Sequence, residues 1–203
     1  MLWVDQVSVS LANNKILDRI DLQALPGEVT VIIGPNGSGK STLMRAMSGD
    51  IPYEGKILLN GHDIKTLKPW DLASKRAVLP QKSILAFPFT VEEVVHIGLR
   101  NGIGAQTTTI IYDALSSVGL SAYAQRQYAE LSGGEQQRVQ LARVLAQVWT
   151  PYEMGQARWI FLDEPVSSLD IAHQIDVINI AKEYARSGGG VIAIMHDLNL
   201  TSM

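Results

Sequence analysis

The sequence predicts an α/β fold in which helices pack on a mostly parallel sheet, and two observations support this prediction. Short apolar segments of strand character recur along the chain, at residues 28–34 (EVTVIIG), 76–81 (RAVLPQ) and 188–196 (GGGVIAIMH). Continuous apolar runs of this length are typical of strands buried on both faces, as in parallel sheets. Helical segments lie between strand segments along the chain, and this alternation is typical of a parallel sheet.

The N-terminal part differs from this alternation. Val4, Val7, Val9 and Leu11 are followed by a polar turn, ANNK, and then by a second strand-like segment, residues 16–25 (ILDRIDLQAL). Two strands joined by a short turn predict an antiparallel β part at this end of the chain.

The other elements of the α/β core follow in order. A helix is predicted from Ser41 to Ser48, and a strand at residues 55–61 (GKILLNG). A further strand is predicted at residues 158–165 (RWIFLDEP), and a helix follows it from about residue 171 to residue 186. These elements extend the α/β pattern to both ends of the chain.

The middle of the chain, from about residue 82 to residue 156, is predicted to be helical and to contain no strand. Thr90 and Glu93 have the spacing of a capping box before EEVVHIGL. Residues 107–119 (TTTIIYDALSSVG) are amphipathic and end at a glycine, as helices commonly do.

These patterns predict one domain over residues 1–203 with an insertion. An α/β core formed by residues 1–81 and 157–203 is expected to be interrupted by a helical subdomain, residues 82–156.

Composition limits the classes of function. The chain has 203 residues, of which 46% are hydrophobic and 18% charged, and its net charge is −3. This balance suits one globular unit and predicts no nucleic-acid partner. Cysteine is absent, which excludes disulfides and thiolate metal sites. Neither a membrane-length apolar run nor a signal-peptide pattern is found, so we expect a cytoplasmic chain that reaches a membrane only through a partner.

A glycine-rich segment lies where a phosphate site is expected, after one strand and before a helix. GPNGSGKST matches the pattern G-x-x-x-x-G-K-[ST], the P-loop of nucleotide-binding proteins. Its glycines let backbone N–H groups point at phosphate oxygens, its lysine meets the β- and γ-phosphates, and its Ser41 hydroxyl can bind Mg²⁺. The predicted nucleotide-binding residues are Gly34, Pro35, Asn36, Gly37, Ser38, Gly39, Lys40, Ser41 and Thr42.

Two carboxylates end the strand WIFLDEP. Asp163 is predicted to lie at the carboxyl edge of the sheet, beside the phosphates, where it would help to hold Mg²⁺. Glu164 follows directly and can act as the general base that polarises the attacking water. The alternative for Glu164 is an ordinary, solvated glutamate at the end of a strand.

LSGGEQQR, residues 131–138, begins a helix with two adjacent glycines. Ser132 and Glu135 have capping-box spacing, so Gly133 and Gly134 could simply suit the turn. The second interpretation is that exposed N–H groups at this helix start bind an anion.

With the P-loop, LSGGEQQR and LDEP in this order, the chain resembles the ATP-binding subunits of ABC transporters over essentially all 203 residues. The resemblance implies binding of ATP and Mg²⁺. It implies that Gln81, in LPQ, senses Mg²⁺ and the lytic water. It also implies that Asp170, in SSLD, belongs to the D-loop and that His196, in IMHD, holds the γ-phosphate and orients Glu164.

The same resemblance implies an assembly. Two chains would pack head to tail, with Ser132, Gly133 and Gly134 of one chain against the γ-phosphate bound by the P-loop of the other. The capping and anion-binding roles are then compatible. The expected partners are a second copy, two membrane permease subunits and a periplasmic substrate-binding protein, at the cytoplasmic side of the bacterial inner membrane. Phe87 and Phe89, in ILAFPFT, either dock a permease helix or pack on the helical subdomain.

Three segments indicate the type of transporter. LDIAHQ, MHDLNL and FPFTVEEVV are similar to ATP-binding subunits that import iron chelates, haem and cobalamin. The longer segment VWTPYEMGQARW, residues 148–159, is similar to the haem (hemin) importers of Gram-negative bacteria. The alternative is a neutral loop insertion, since surface loops tolerate these. Haem itself is not expected to contact this chain.

Two departures from the family pattern accompany the resemblance. Leu11 is expected beside the adenine, where an aromatic ring is common. The chain stops at Met203, inside a predicted helix, so we expect it to be incomplete at the C-terminus. Two other functions are considered: a soluble ABC-type ATPase without a membrane partner, and a nucleotide-dependent dimerisation module without turnover, which would be expected to lack Glu164 or His196.

Overall fold

The computed structural model describes residues 1–12, 14–81, 85, 87–99, 105–166 and 169–195. The strands are β1 (Leu2–Leu11), β2 (Asn14–Ala24), β3 (Val29–Ile33), β4 (Glu54–Leu59), β5 (His62–Asp63), β6 (Arg76–Leu79), β7 (Tyr152–Glu153), β8 (Gln156–Ala157), β9 (Trp159–Asp163) and β10 (Gly190–Met195). The helices are α1 (Lys40–Met47), α2 (Pro69–Lys75), α3 (Val91–Gly98), α4 (Ala105–Ser117), α5 (Gly133–Gln147) and α6 (Ile171–Arg186). Short 3₁₀ helices cover Ile64–Thr66, Ser121–Tyr123 and Tyr128–Glu130.

A parallel sheet forms the centre of the molecule, with strand order β3-β10-β9-β6. All three pairs of neighbours run parallel. The carboxyl ends of the four strands therefore meet at one edge, and the segments that follow β3, β6 and β9 all leave the sheet there. The predicted parallel sheet is confirmed.

A second, antiparallel sheet has the order β2-β1-β4-β5. Leu2 faces Ala24 of β2 on one side and Leu59 of β4 on the other, so β1 lies between the two strands. The predicted antiparallel β part is confirmed, and β4 joins it rather than the parallel sheet.

The two central strands of the parallel sheet, β9 and β10, are buried on both faces, which explains their continuous apolar sequences. Trp159 and Phe161 of β9 pack into a core shared with the antiparallel sheet and α1. Ile160 and Leu162, on the opposite face, pack into a core that includes residues of α3, α4, α5 and α6. Side chains alternate between the faces of a strand, so β9 serves two cores.

Helix starts follow the predicted signals. Thr90 caps α3, since its side chain accepts from the Glu93 N–H and the Glu93 carboxylate accepts from the Thr90 N–H. Asp170 caps α6 through the His173 N–H.

α3 and α5 pack closely at Gly98, where an added Cβ would lie 2.2 Å from the Arg143 carbonyl oxygen.

The prediction that residues 82–156 contain no strand is wrong. β7 and β8 form a small antiparallel hairpin within the segment 148–159. Its two-residue turn places Met154 at φ 51° and Gly155 at φ 78°, the positive values that tight hairpin turns need. The helix α2 was also not predicted, although Pro69 at its first turn is a common start signal.

None of the described helices has the length and apolar character needed to cross a bilayer.

Candidate functional site

The glycine-rich loop connects the end of β3 to the start of α1 at the carboxyl edge of the parallel sheet. Gly39 precedes α1 with φ 91°, in the left-handed region that favours glycine. An added Cβ there would lie 2.8 Å from the Leu17 Cδ2 atom of β2. The positive φ is the main reason for glycine at this position, and the Leu17 side chain would have to shift to admit a larger residue.

Lys40 is held with its ammonium group over this loop. Its Nζ donates to the Gly34 carbonyl oxygen at 2.7 Å and to the Pro35 carbonyl oxygen at 2.9 Å, and the residue is only 9% exposed. Among the described residues, no carboxylate lies within ion-pair distance of it. A mostly buried cation held only by carbonyl oxygens favours an anionic ligand.

A cavity of about 460 Å³ lies in front of the loop. This volume is within the usual range for small-molecule sites. The cavity brings together the glycine-rich loop, the segment after β6 and the segment after β9. Its lining residues are Ile16, Asn36, Gly37, Gly39, Lys40, Ser41, Thr42, Gln81 and Glu164.

Ser41 and Asp163 form a pair of hard oxygen ligands beside this cavity. The Ser41 Oγ atom donates to the Asp163 Oδ1 atom at 3.2 Å. Mg²⁺ prefers oxygen ligands, and typically takes one or two from protein while keeping water and phosphate oxygens as the others. This donor set therefore fits Mg²⁺.

Glu164 is held in an unusual backbone conformation. Its φ is 53°, in a region that costs a non-glycine residue roughly 1–3 kcal/mol and is frequent at functional sites. Its N–H donates to the Ile194 carbonyl oxygen of β10 at 3.2 Å. Gln81 Nε2 donates to the Glu164 Oε2 atom at 2.5 Å, so the predicted general base and the predicted Q-loop glutamine are in direct contact.

The start of α5 has the predicted capping box. The Ser132 side chain accepts from the Glu135 N–H at 3.3 Å, and the Ser132 N–H donates to the Glu135 carboxylate at 2.8 Å. The hydrogen bonds from the Ser132 side chain and N–H lower the pKa of Glu135. Gly133 does not have a positive φ, and an added Cβ would meet no described atom within 4 Å. The fold of this chain therefore does not itself require glycine at position 133.

The residues of the LSGGEQQR segment do not line the 460 Å³ cavity of their own chain. Gly133 instead lines a separate cavity of about 90 Å³, which Gln81 also lines. Asp170 lies at the start of α6, where hydrogen bonds, first from the His173 N–H, lower its pKa. His196 lies outside the described residues.

The two phenylalanines of the segment before α3 have different environments. Phe87 is 71% exposed. Phe89 is partly buried against the core of the helical region, and the two rings meet edge to face at a centroid distance of 6.1 Å. Of the two alternatives, core packing holds for Phe89 and leaves Phe87 as the exposed ring.

Two residues near the site were not identified from the sequence. Ile16 lines the cavity, whereas Leu11 is 39% exposed and does not. Gln137, in α5, contacts the backbone after β9 through its side chain. The sequence contained one indication of Gln137. The helix α5 has glutamines among its apolar residues, and one of these glutamines, Gln140, is buried.

Comparison with known proteins decides the family. A family model described as ABC transporter matches residues 17–167, which include the glycine-rich loop, LSGGEQQR and LDEP. This chain belongs to the ABC transporter family. As a member of that family it is an ATPase, and the predicted P-loop ABC ATPase fold is confirmed.

Similar proteins cover the whole chain. A Jannaschia sp. protein named Hemin import ATP-binding protein HmuV is 61% identical over 203 residues, which are 100% of this chain and 75% of that protein. A Roseobacter denitrificans protein of the same name is 58% identical over 197 residues, covering 97% and 76%. A solved structure of a bacterial Atm1-family ABC exporter with ATP bound superposes with a TM-score of 0.83 at 26% identity, covering 98% of this chain and 34% of that chain.

Proposed function

We propose that this ABC transporter ATPase is the ATP-hydrolysing subunit of a haem importer. The observation that supports its nucleotide chemistry best is the single cavity that Lys40, Ser41, Gln81 and Glu164 line together. Three separate segments supply these groups, and each group has the chemistry that ATP hydrolysis needs at its position. The haem assignment is supported by the names of the relatives, which match this chain over its full length.

In this proposal the loop of residues 34–42 binds the phosphates of ATP. Its N–H groups and the Lys40 ammonium neutralise the phosphate charge, and Ser41 and Asp163 hold Mg²⁺, with Gln81 nearby. When bound, Mg²⁺ supplies charge neutralisation at the β- and γ-phosphate oxygens. Ile16 supplies an apolar wall, and Leu11 beside the adenine stays a prediction.

Glu164 is proposed to accept the proton of the attacking water. Its contact with Gln81 fixes the direction of one carboxylate oxygen toward the cavity. A base must lie within hydrogen-bond reach of the water, and this contact restrains the carboxylate beside the cavity where the water would lie. His196 is proposed to hold the γ-phosphate and to orient Glu164.

The active form is proposed to be a head-to-tail homodimer. Ser132, Gly133 and Gly134 of one chain would face the γ-phosphate bound by the other, where helix N–H groups and the helix dipole favour negative charge. Asp170 would lie at the same interface. The free space around Gly133 supports this role, because no atom of the described residues occupies it.

The test of the base is the variant Glu164→Gln. We expect this variant to bind ATP, to hydrolyse it at least about 100-fold more slowly because the base is lost, and to accumulate as a closed dimer. Turnover is measured by phosphate release, and dimerisation by light scattering with and without ATP. Glu28→Gln is the control, because Glu28 is exposed and lies at the opposite end of the parallel sheet. Normal hydrolysis by Glu164→Gln would refute the assignment of the base.

The importer is proposed to contain two ATPase chains, two permease subunits and a periplasmic binding protein, with this chain at the cytoplasmic face of the inner membrane. The test is reconstitution in proteoliposomes with the permease that co-purifies. Hemin should stimulate ATP hydrolysis, whereas cobalamin and a ferric siderophore should not. If cobalamin or the siderophore stimulates hydrolysis and hemin does not, that compound and not haem is the cargo. The isolated ATPase should show no spectral change with hemin.

Phe87 is proposed to contact the permease. We expect Phe87→Ser to lower retention of this chain on permease-containing membranes while its own ATPase activity stays unchanged. Phe89→Ser is the matched comparison, because Phe89 packs on the core and its loss should lower the unfolding temperature instead. Retention of Phe87→Ser at the wild-type level would contradict this role.

We also propose that the chain is one ABC ATPase domain with two parts. Residues 1–81 and 157–203 would form the catalytic core, and residues 82–156 would form a helical subdomain whose movement carries Ser132 to Gly134. α3, α4 and α5 pack against one another, as this division requires, although α5 also packs on β6 of the core.

A further inference from the structure

Gln137 connects the first turns of α5 to the backbone that follows β9. Its Nε2 atom donates to the Pro165 carbonyl oxygen at 2.7 Å and, more weakly, to the Glu164 carbonyl oxygen at 3.4 Å. Two carbonyl acceptors face this end of the amide, so it must be the NH₂ end, since the oxygen end cannot donate. The side chain therefore makes a directional contact that only a donor can make.

The contact is partly buried, and the oxygen end of the amide is more enclosed than the residue as a whole. The Gln137 Oε1 atom is inaccessible to solvent and has no hydrogen-bond partner within the described part of the chain. A buried amide oxygen without a partner is unfavourable, so the site is not optimised for stability alone. Such a loss of stability is expected where function requires the NH₂ group of Gln137 to donate at this position.

The two carbonyls that Gln137 contacts belong to the strained segment that carries the general base. Glu164 has φ 53°, and a left-handed non-glycine residue persists only where the surroundings hold it. Within the described part of the chain its N–H donates to Ile194, its carboxylate accepts from Gln81, and its carbonyl accepts from Gln137. Gln137 and Gln81 also line the same cavity of about 90 Å³, so both contacts come from one side.

We propose that Gln137 is a positioning residue for Glu164. By fixing the carbonyls of Glu164 and Pro165, it holds the backbone conformation that aims the Glu164 carboxylate into the nucleotide cavity. Because Gln137 lies on the helix that begins at Ser132, it also connects the N-terminus of α5 to the base of the same chain. This inference rests on the proposed function of Glu164 and extends it to a second residue.

The test variant is Gln137→Met, which keeps the length of the side chain and removes the donor. We expect kcat for ATP hydrolysis to fall about 10- to 100-fold, the range expected when a reacting group is misplaced by a fraction of an ångström to one ångström. The KM for ATP should stay unchanged, because the residues that bind the phosphates are untouched. Gln137→Glu, which is isosteric but places a carboxylate against two carbonyls, should lose at least as much activity.

Gln147→Met is the matched control. The Gln147 Nε2 atom also donates to two carbonyl oxygens, those of Ala73 and Arg76, but it lies in the last turn of α5, away from Glu164 and from the start of the helix. We expect this variant to keep the wild-type kcat. If Gln137→Met fails to fold, as judged by its thermal transition, the expected loss of kcat is measured with Gln137→Glu instead.

A double-mutant comparison distinguishes positioning from general support of the fold. In the Glu164→Gln background, Gln137→Met should cause no further loss of residual hydrolysis, since a positioning residue acts only through the base. Additive losses would overturn the proposal, and so would a wild-type kcat for both Gln137 variants. Normal hydrolysis by Glu164→Gln alone would instead refute the proposed function, whatever the result at Gln137.

Discussion

Gly133 offers a test in which stability and function should change in opposite directions. The substitution Gly133→Ala adds one methyl group at the first residue of α5. Within this chain the added Cβ meets no described atom within 4 Å, and the backbone φ is not positive. The fold should therefore accept alanine without strain.

The expected gain in stability can be worked from these facts. Replacing glycine by alanine at a compatible position stabilises a protein by about 0.4–1 kcal/mol, chiefly because the unfolded chain has fewer conformations to lose. For a chain of this length, 1 kcal/mol shifts Tm by roughly 2–4 °C. We therefore expect the Tm of the nucleotide-free Gly133→Ala variant to rise by about 1–4 °C.

The rate of ATP hydrolysis should fall in the same variant. If the N–H groups at the start of α5 face the γ-phosphate bound by a second chain, a methyl group there keeps the two surfaces apart. We expect kcat to fall at least about 100-fold, which is the usual effect of losing a donor to a reacting anion. ATP binding to the variant's own loop should persist, because Gly133 does not line that cavity.

The assay combines three measurements on the same variant: thermal unfolding without nucleotide, ATP hydrolysis, and ATP-dependent dimerisation in the Glu164→Gln background. Gly98→Ala is the contrasting control. Its Cβ would lie 2.2 Å from the Arg143 carbonyl oxygen, so it should lower stability by about 1–3 kcal/mol through overpacking. If Gly133→Ala dimerises and hydrolyses ATP normally, the reasoning about the second chain is refuted.

Two further predictions concern the phosphate loop and the start of α6. Lys40→Met should weaken binding of a non-hydrolysable ATP analogue about 10- to 100-fold, the equivalent of one charge-assisted contact, and calorimetric titration measures this change; unchanged affinity would contradict the phosphate role of Lys40. The pKa of Asp170 is lowered in the folded chain from its ordinary value of 3.8, so its contribution to stability is present above pH 3.8 and is lost as the pH falls through the folded-state pKa. Asp170→Asn keeps a capping side chain without this titration, so its Tm should fall less steeply than that of the wild type as the pH is lowered from about 4 to about 2, where the contribution of the carboxylate is lost; parallel curves would contradict the role of the Asp170 carboxylate.

The elements that the sequence predicted correctly depend on local chemistry. The capping boxes at Thr90 and Ser132 use residues three positions apart, so the sequence pattern contains both partners. The loop before α1 needs glycine at position 39 for its own φ of 91°, and the strand WIFLDEP is recognisable because both of its faces are buried. Local rules such as these can be recognised from the amino-acid sequence alone.

The features that the sequence did not predict depend on distant contacts or on very short elements. Ile16 reaches the nucleotide cavity only because β2 passes beside the glycine-rich loop, a fact of tertiary packing. Gln137 meets Pro165, a residue 28 positions away, and no periodic pattern joins the two. The hairpin of β7 and β8 consists of two strands of two residues each, too short to show an alternation.

The contacts of Glu164 connect these features to the control of hydrolysis. Among the described residues, its N–H is held by β10, its carboxylate by Gln81 and its carbonyl by Gln137, so segments that are far apart in sequence meet at one side chain. In our proposal, Gln81 precedes the permease contact, Phe87, by six positions in the sequence, and Gln137 lies on the helix that meets the second ATPase chain. A displacement of either segment would change the direction in which the Glu164 carboxylate points. A strained residue keeps its conformation only where the surroundings hold it, so each of these contacts matters to the position of Glu164. Contact with the permease and contact with the second chain would then both raise the rate of hydrolysis above that of the free chain.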